Sequence, residues 1–183
     1  MSQRAIIAVD LQNFYLSSGQ MPLTGIDAAV ANAARVIAAA RQRNEPVIHV
    51  RHELPADSPL FVPEDKANDI IDEVSPIAGE TVIVKHFPSS FRETSLQSAL
   101  ASQGIDRLVI VGAMSHMCVE ATTRAAADIG GYALTVVHDA CATRDLEFDG
   151  VVVPASHVHA ASMAALAFGY ANVLSTDQWL AEG

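Results

Sequence analysis

Three reactive side chains stand where short apolar runs of this sequence end. The run AIIAVD closes on Asp10, TVIVK closes on Lys85, and LVIVG leads through a short turn to Cys118. An acid, an amine and a thiol at run-ends together suggest acyl transfer, with a sulfur nucleophile, a carboxylate base and a cation that orients both. The stretch after Cys118 has the composition of a helix. A thiol at a helix start lies among unpaired backbone N–H groups and the positive end of the dipole, and both favour thiolate. The bland reading of Cys118 is a small buried core residue. For Asp10 and Lys85 it is a salt bridge at the rim of a sheet. In open parallel α/β sheets, ligands bind outside the carboxyl ends of the strands. Three such groups at one rim therefore read as a site, and the three should titrate as one coupled unit.

Positioning those groups requires a particular set of elements. Short β-rich runs at 5–10, 46–51, 81–85, 107–111, 133–138 and 171–174 alternate with helical stretches at 25–43, 94–103, 118–129, 154–168 and 176–181. Most of the strand runs are continuously apolar, as in strands covered on both faces. Gly104 and the Gly130–Gly131 pair read as helix stops, and Pro154 as a first helical position. The alternation predicts a three-layer α/β/α domain around a parallel sheet, one domain over residues 1–183. Segment 52–79 has no periodicity and carries Pro55, Pro59, Pro63 and Pro76 with Glu64-Asp65-Lys66 between them. It reads either as a lid or solvated excursion, or as a packed surface loop.

Composition narrows the function classes. Of 183 residues, 50% are hydrophobic and 17% charged, which places the chain among globular domains. A net charge of −10 argues against nucleic acid and against an anionic membrane surface. No apolar run approaches a membrane span. The opening MSQRAIIAVD does not read as a signal peptide. Cys118 and Cys141 do not form a disulfide framework or a zinc spacing. The expectation is a cytoplasmic protein with reduced thiols. No Gly-x-Gly-x-x-Gly follows the first run, where Leu11-Gln12-Asn13-Phe14 stands instead, so a dinucleotide site is disfavoured.

The chain resembles the isochorismatase-like cysteine hydrolases, the superfamily of nicotinamidases and N-carbamoylsarcosine amidohydrolase. The resemblance rests on Asp10, on Lys85 with Ser89-Ser90-Phe91 and Thr94, on Gly112 through Val119, and on Thr122-Thr123-Arg124. It implies a six-stranded parallel sheet in the Rossmann-like order 3-2-1-4-5-6. It implies Asp10, Lys85 and Cys118 as catalytic residues, and the backbone N–H groups of Met114 and Cys118 as an oxyanion hole. It also implies a cis Ala113–Met114 peptide. Ser115 takes a position where many members have Thr. Phe14, Phe87, Phe91 and Met117 fall at positions that contact substrate in the family, although ordinary core packing is the alternative for each. His116, inside the turn, reads either as a pocket or proton-steering residue or as a hydrogen-bonded loop histidine.

Nicotinamidases hold a metal through an Asp-x-His motif after strand two. Here that region reads His49-Val50-Arg51-His52-Glu53, without the Asp and with an intruding cation, so no metal is expected. His157 and His159 are two apart and lie on different sides of a helix. No other cofactor is expected. The leading functional reading is a cysteine hydrolase of a C–N bond in a small molecule, through a Cys118 thioester. Vinyl-ether hydrolysis of isochorismate type, with Asp10 as general acid, stays open. So does a redox-sensing or non-catalytic thiol protein. The stretch 159–173, HAASMAALAFGYANV, carries no charged residue. An outer helix without a charged face predicts a homo-oligomer, a dimer or tetramer, with this helix at or near an interface.

Overall fold

The computed structural model of the chain describes residues 3–53 and 66–182. In chain order its elements are β1 (Gln3–Val9), α1 (Ile26–Gln42), β2 (Val47–His52), β3 (Thr81–Lys85), α2 (Leu96–Ser102), β4 (Ile105–Ala113), α3 (Glu120–Ile129), β5 (Ala133–Ala142), β6 (Leu146–Phe148), β7 (Val151–Val153), α4 (Ala155–Gly169), β8 (Asn172–Leu174) and α5 (Thr176–Ala181). Six strands form one sheet in the order β3-β2-β1-β4-β5-β8, and every pair in it is parallel. This is the sheet and order that the resemblance implied.

Strand side chains alternate between two apolar layers, as a period of two requires. Ile6, Ala8, Val109 and Val111 point to one face, where they meet Ala29, Val30, Ala33, Val36, Ile37 and Ala40 of α1 and Trp179 of α5. Ile7, Val9, Leu108 and Ile110 point to the other, against Leu96 and Leu100 of α2, Ala126 of α3, and Met163 and Leu166 of α4. The alanine-rich face of α1 lets the helix lie close on the sheet. Each fully buried Ile or Leu contributes about 1.5–3 kcal/mol of burial free energy. Because α1 leads to β2 on one side of β1 while β4 lies on the other, the chain reverses its direction of winding between β1 and β4. A crevice opens at such a point, outside the carboxyl ends of the strands.

Several elements differ from their sequence expectation. The helix expected from 94 begins at Leu96, because Ser89–Thr94 fold into tight turns in which Thr94 Oγ1 donates to Ser90 O at 2.5 Å. β5 runs on to Ala142, past the expected 138, and its pairing with β4 shifts register between Ile110 and Gly112. Pro154 is the N-cap of α4, not its first residue. The antiparallel hairpin β6–β7 was not expected at all. Its two-residue turn is Asp149-Gly150, with φ of 50° and 73°, flanked by the pair Phe148 and Val151. That is the backbone a primed hairpin turn needs, and Asp-Gly supplies it.

Segment 52–79 is packed where it is described. Ile71 and Val74 are buried, Ile71 N–H donates to Leu11 O at 2.9 Å, and Gln12 bridges to Ile70. Pro55, Pro59, Pro63, Glu64 and Asp65 lie outside the described residues. Among the described residues no helix is long and apolar enough to cross a membrane.

Candidate active site

The strands deliver Asp10, Lys85 and Cys118 to one buried cluster at the mouth of the crevice. Asp10 follows the last residue of β1. Its N–H donates to Val50 O at 2.9 Å, and its backbone then turns with φ of 51°. A non-glycine residue there is strained, and strain of this kind concentrates at functional sites. The turn aims a fully buried carboxylate along the rim of the sheet. Across from it, Gly112 pairs with Val9. Gly112 has φ of 133°, and a Cβ there would lie 2.0 Å from Val9 O. Only glycine permits that approach.

Beyond Gly112 the Ala113–Met114 peptide is cis. One turn of π-helix, Ser115–Val119, then carries Cys118 into α3. Such turns recur at functional sites. Ser115 anchors this one from below: its hydroxyl donates to Ala142 O at 3.2 Å and pairs with His159 Nδ1 at 2.8 Å. The Ser90 and Thr122 hydroxyls meet at 2.8 Å, and Ser90 N–H donates to Thr122 Oγ1 at 3.0 Å. These two residues of the recognised motif thus tie the loop after β3 to α3.

Lys85 reaches past β2 from the end of β3. Its ammonium lies 2.7 Å from Asp10 Oδ2, 3.0 Å from His52 Nδ1 and 3.1 Å from Phe87 O. An ammonium has three donors and no acceptor; two are spent on His52 Nδ1 and Phe87 O, and the third faces the Asp10 carboxylate as an ion pair. The side chains of Lys85 and Asp10 are both 0% exposed. Breaking such a buried pair by removing one partner costs about 3–5 kcal/mol. Asp10 Oδ1 has no hydrogen-bond partner among the described residues.

Cys118 is 4% exposed. Its sulfur lies 3.8 Å from His52 Nδ1, and one ligand atom each of Asp10, His52 and Cys118 lies within 4.8 Å of the others. Burial, and next the Asp10 carboxylate, push the thiol up to about 12, while Lys85 pulls it down. This corrects the expectation of a thiolate favoured by a helix start. α3 begins at Glu120, after the sulfur, and desolvation beside an anion outweighs the dipole. At rest Cys118 is a thiol with a carboxylate beside it.

The other expected site residues are placed variously. Phe14 is buried against Tyr15, with ring centroids 4.1 Å apart. Phe87 is half-buried under Arg92, whose Cζ stands 3.7 Å from the ring centroid. Phe91 is half-buried and packs against the core layer that includes Leu96, Leu100 and Cys118, with its ring 6.2 Å from that of Tyr132. His116 Nδ1 bonds Thr143 Oγ1 at 2.6 Å, which ties it to the loop after β5. Burial lowers the pKa of His116 below its ordinary value. Met117 is 40% exposed at the surface of the turn.

Three residues of the site were missed in the sequence. His52, at the end of β2, stands against Lys85, Asp10 and Cys118. Gln12, fully buried, grips the His52 backbone at both ends: Oε1 accepts its N–H at 2.8 Å and Nε2 donates to its carbonyl at 3.1 Å. Tyr15 is buried, and its hydroxyl is raised well above 10.0 by burial first and then by the charges of Asp10 and Cys118. The run-end argument that found Asp10 and Lys85 applies equally to His52.

The histidine-rich stretch of β2 does not converge as a nicotinamidase metal motif would. His49 turns away to Glu80 Oε2 at 2.9 Å, and Arg51 pairs with Glu53. Asp10, His52 and Cys118 have the spacing of a metal site, but the Lys85 ammonium bonds both Asp10 and His52. A divalent ion there would have to displace it.

The chain is similar to known proteins along almost its whole length. A protein of the isochorismatase family from Bacillus subtilis, YddQ, is 43% identical over 96% of this chain and 98% of its own length. The crystal structure of an isochorismatase-type hydrolase from Oleispira antarctica superposes with a TM-score of 0.93 at 48% identity, covering 98% of this chain and 97% of that one. N-carbamoylsarcosine amidase from Thermoplasma acidophilum follows at a TM-score of 0.79 and 27% identity, over 96% of this chain and 97% of its own. The family model for the isochorismatase domain matches residues 4–178. With a match across almost all of its length, the chain belongs to the isochorismatase family and is a hydrolase.

Proposed function

We propose that the protein hydrolyses a C–N bond of a small amide-type substrate through a thioester on Cys118. The observation that carries this reading is the pairing of a buried thiol with a buried carboxylate whose Oδ1 has no hydrogen-bond partner among the described residues and whose Oδ2 is ion-paired to Lys85. In the first step the sulfur attacks the carbonyl carbon as Asp10 takes the thiol proton. The charge of Asp10 is thereby neutralised, and Lys85 is left facing the developing anion. The Met114 and Cys118 N–H groups, which flank the turn, receive the oxyanion. The C–N bond breaks and Asp10 returns the proton to the leaving nitrogen. Water then attacks the thioester, Asp10 takes one of its protons, the C–S bond breaks, and that proton goes back to the sulfur. No cofactor enters these steps.

In this reading Phe14, Phe87, His116 and Met117 contact the substrate. The amidase among the structural relatives supports C–N chemistry. The protein is a homo-oligomer, dimer or tetramer, through α4, whose outward stripe of Ala160, Ala161, Ala164 and Phe168 is exposed and uncharged. Both cysteines are free, and the chemistry requires Cys118 reduced, which suits a cytoplasmic enzyme.

A panel of small amides, carbamoyl compounds and isochorismate, assayed for ammonia and for pyruvate, tests the reaction. Ammonia release that requires Cys118 is the expected result. Pyruvate from isochorismate with no ammonia from any amide would replace this reading with vinyl-ether hydrolysis, and turnover of nothing would point to a binding or redox role. Sedimentation equilibrium tests the assembly: a species of 19.4 kDa at micromolar concentration would contradict it.

A further inference from the structure

We propose that His52 is a positioning residue for this catalytic cluster, acting through Nδ1 as the third acceptor of the Lys85 ammonium. The inference rests on Asp10, Lys85 and Cys118 being the reacting groups.

The contact is built, and its construction is specific. Lys85 Nζ lies 3.0 Å from His52 Nδ1. Its two other acceptors are a carboxylate oxygen at 2.7 Å and a backbone carbonyl at 3.1 Å. An imidazole nitrogen accepts only through its lone pair, so a Nδ1 that takes an N–H from the ammonium carries no hydrogen of its own. The other ring nitrogen, Nε2, is buried and has no hydrogen-bond partner among the described residues. Nδ1 stands 3.7 Å from Asp10 Oδ2 and 3.8 Å from Cys118 Sγ, inside the cluster. Gln12, two residues beyond the catalytic acid, holds the His52 backbone by its N–H and its carbonyl. One buried side chain thereby sets the ring relative to Asp10.

The consequence for the chemistry is directional. A buried ammonium with only two acceptors carries an unpaired N–H and relaxes away from its post. With the third acceptor in place it stays aimed at Asp10. It therefore remains beside the sulfur when the thiol proton moves to the carboxylate. His52 also accounts for how a cluster spaced like a metal site is filled by an amine, since its donor atom is engaged by Lys85.

Two conservative substitutions separate this role from a structural one. In His52→Asn the side-chain oxygen falls near the position of Nδ1. In His52→Gln the amide falls near Nε2, and nothing occupies the Nδ1 position. The measurement is the rate of alkylation of Cys118 by iodoacetamide at neutral pH, assigned by peptide mass, in wild type, His52→Asn, His52→Gln, His52→Leu and Lys85→Met. Thermal midpoints are recorded for each. His52→Gln and His52→Leu should react roughly tenfold more slowly than wild type and approach Lys85→Met, while His52→Asn stays within about threefold of wild type. A merely structural role would slow Asn and Gln alike. Equal rates for those two variants, or a wild-type rate in His52→Leu, would overturn the proposal. The readout needs no substrate. If the pattern holds while no amide is hydrolysed, the hydrolase reading fails and the positioning role of His52 stands.

Discussion

The sheet carries two buried clusters that each combine an acid, a base and a histidine, and they have opposite characters. At the amino end of β3, Glu80 is bonded by Arg41 through both carboxylate oxygens, at 2.8 and 2.9 Å, and by His49 Nε2–H and Ile77 N–H, each at 2.9 Å. Burial alone would raise the Glu80 carboxyl, but these bonds, that of Arg41 foremost, bring it down to about 2. Every oxygen is engaged and the acid has nothing left to do. At the carboxyl ends of the strands, Asp10 has one oxygen ion-paired to Lys85 and the other without a hydrogen-bond partner among the described residues, beside a thiol that is protonated at rest. The difference teaches that acid, base and histidine in contact do not by themselves make a site. What distinguishes the reactive cluster is an incompletely bonded acceptor next to a transferable proton.

The largest effects should separate the clusters outright. Cys118→Ala and Asp10→Asn should each reduce turnover by on the order of 10³-fold or more, and the double variant should be little slower than either, since groups that act in one step are not additive. Steady-state rates with a substrate found by the amide panel would show this. Near-wild-type turnover in Cys118→Ala would remove the sulfur from the mechanism. Lys85→Met should disable the enzyme as well, and it should lose about 3–5 kcal/mol of stability in denaturant titration, because Asp10 is left buried without its partner.

The next contrast is on the other cluster. Glu80→Gln should leave turnover intact and lower stability by about 1–3 kcal/mol. Its pH dependence has a definite sign. Folding depresses Glu80 from 4.5 to about 2, so its contribution is complete above pH 4.5 and is lost as pH falls toward 2. Unfolding curves across that window should be flatter for Glu80→Gln than for wild type. A large loss of turnover in Glu80→Gln would break the comparison.

The smallest effect concerns the second thiol. Cys141 is also pushed up to about 12, by burial first, and its S–H points to Val137 O at 3.4 Å. The carboxylate whose charge reaches it, Asp139, accepts from the Thr176 N–H and hydroxyl through Oδ1, each at 2.7 Å. Cys141→Ala should change turnover by less than about twofold and stability by about 1 kcal/mol, and iodoacetamide should leave Cys141 unmodified in the folded protein.

The sequence was legible where one residue type at a strand end carried the signal. Asp10, Lys85 and Cys118 are found this way, and the alternation of apolar runs with alanine-rich stretches yields the three layers. It was less legible where function depends on side-chain direction. His49 and His52 look alike in the chain, yet they point to opposite clusters because three positions along a strand change the face. Gln12 reads as a polar loop residue until its two bonds to the His52 backbone are seen. The thiol was misjudged because burial depends on tertiary packing, whereas the helix-start argument used local sequence alone. The Asp149-Gly150 turn is present in the sequence, but its flanking strands are three residues each and carry too little alternation to mark a hairpin.

The central claim is that Asp10 and Cys118 share one proton, with burial first and the Asp10 charge next holding the thiol protonated at rest. The most direct test is an ultraviolet titration of the Cys118 thiolate in Asp10→Asn beside wild type, on a Cys141→Ala background. Removing the negative charge should let the thiol ionise at lower pH while amide hydrolysis is lost, so the variant gains thiolate and loses turnover. A thiol titration that is unchanged or moves to higher pH would contradict the account.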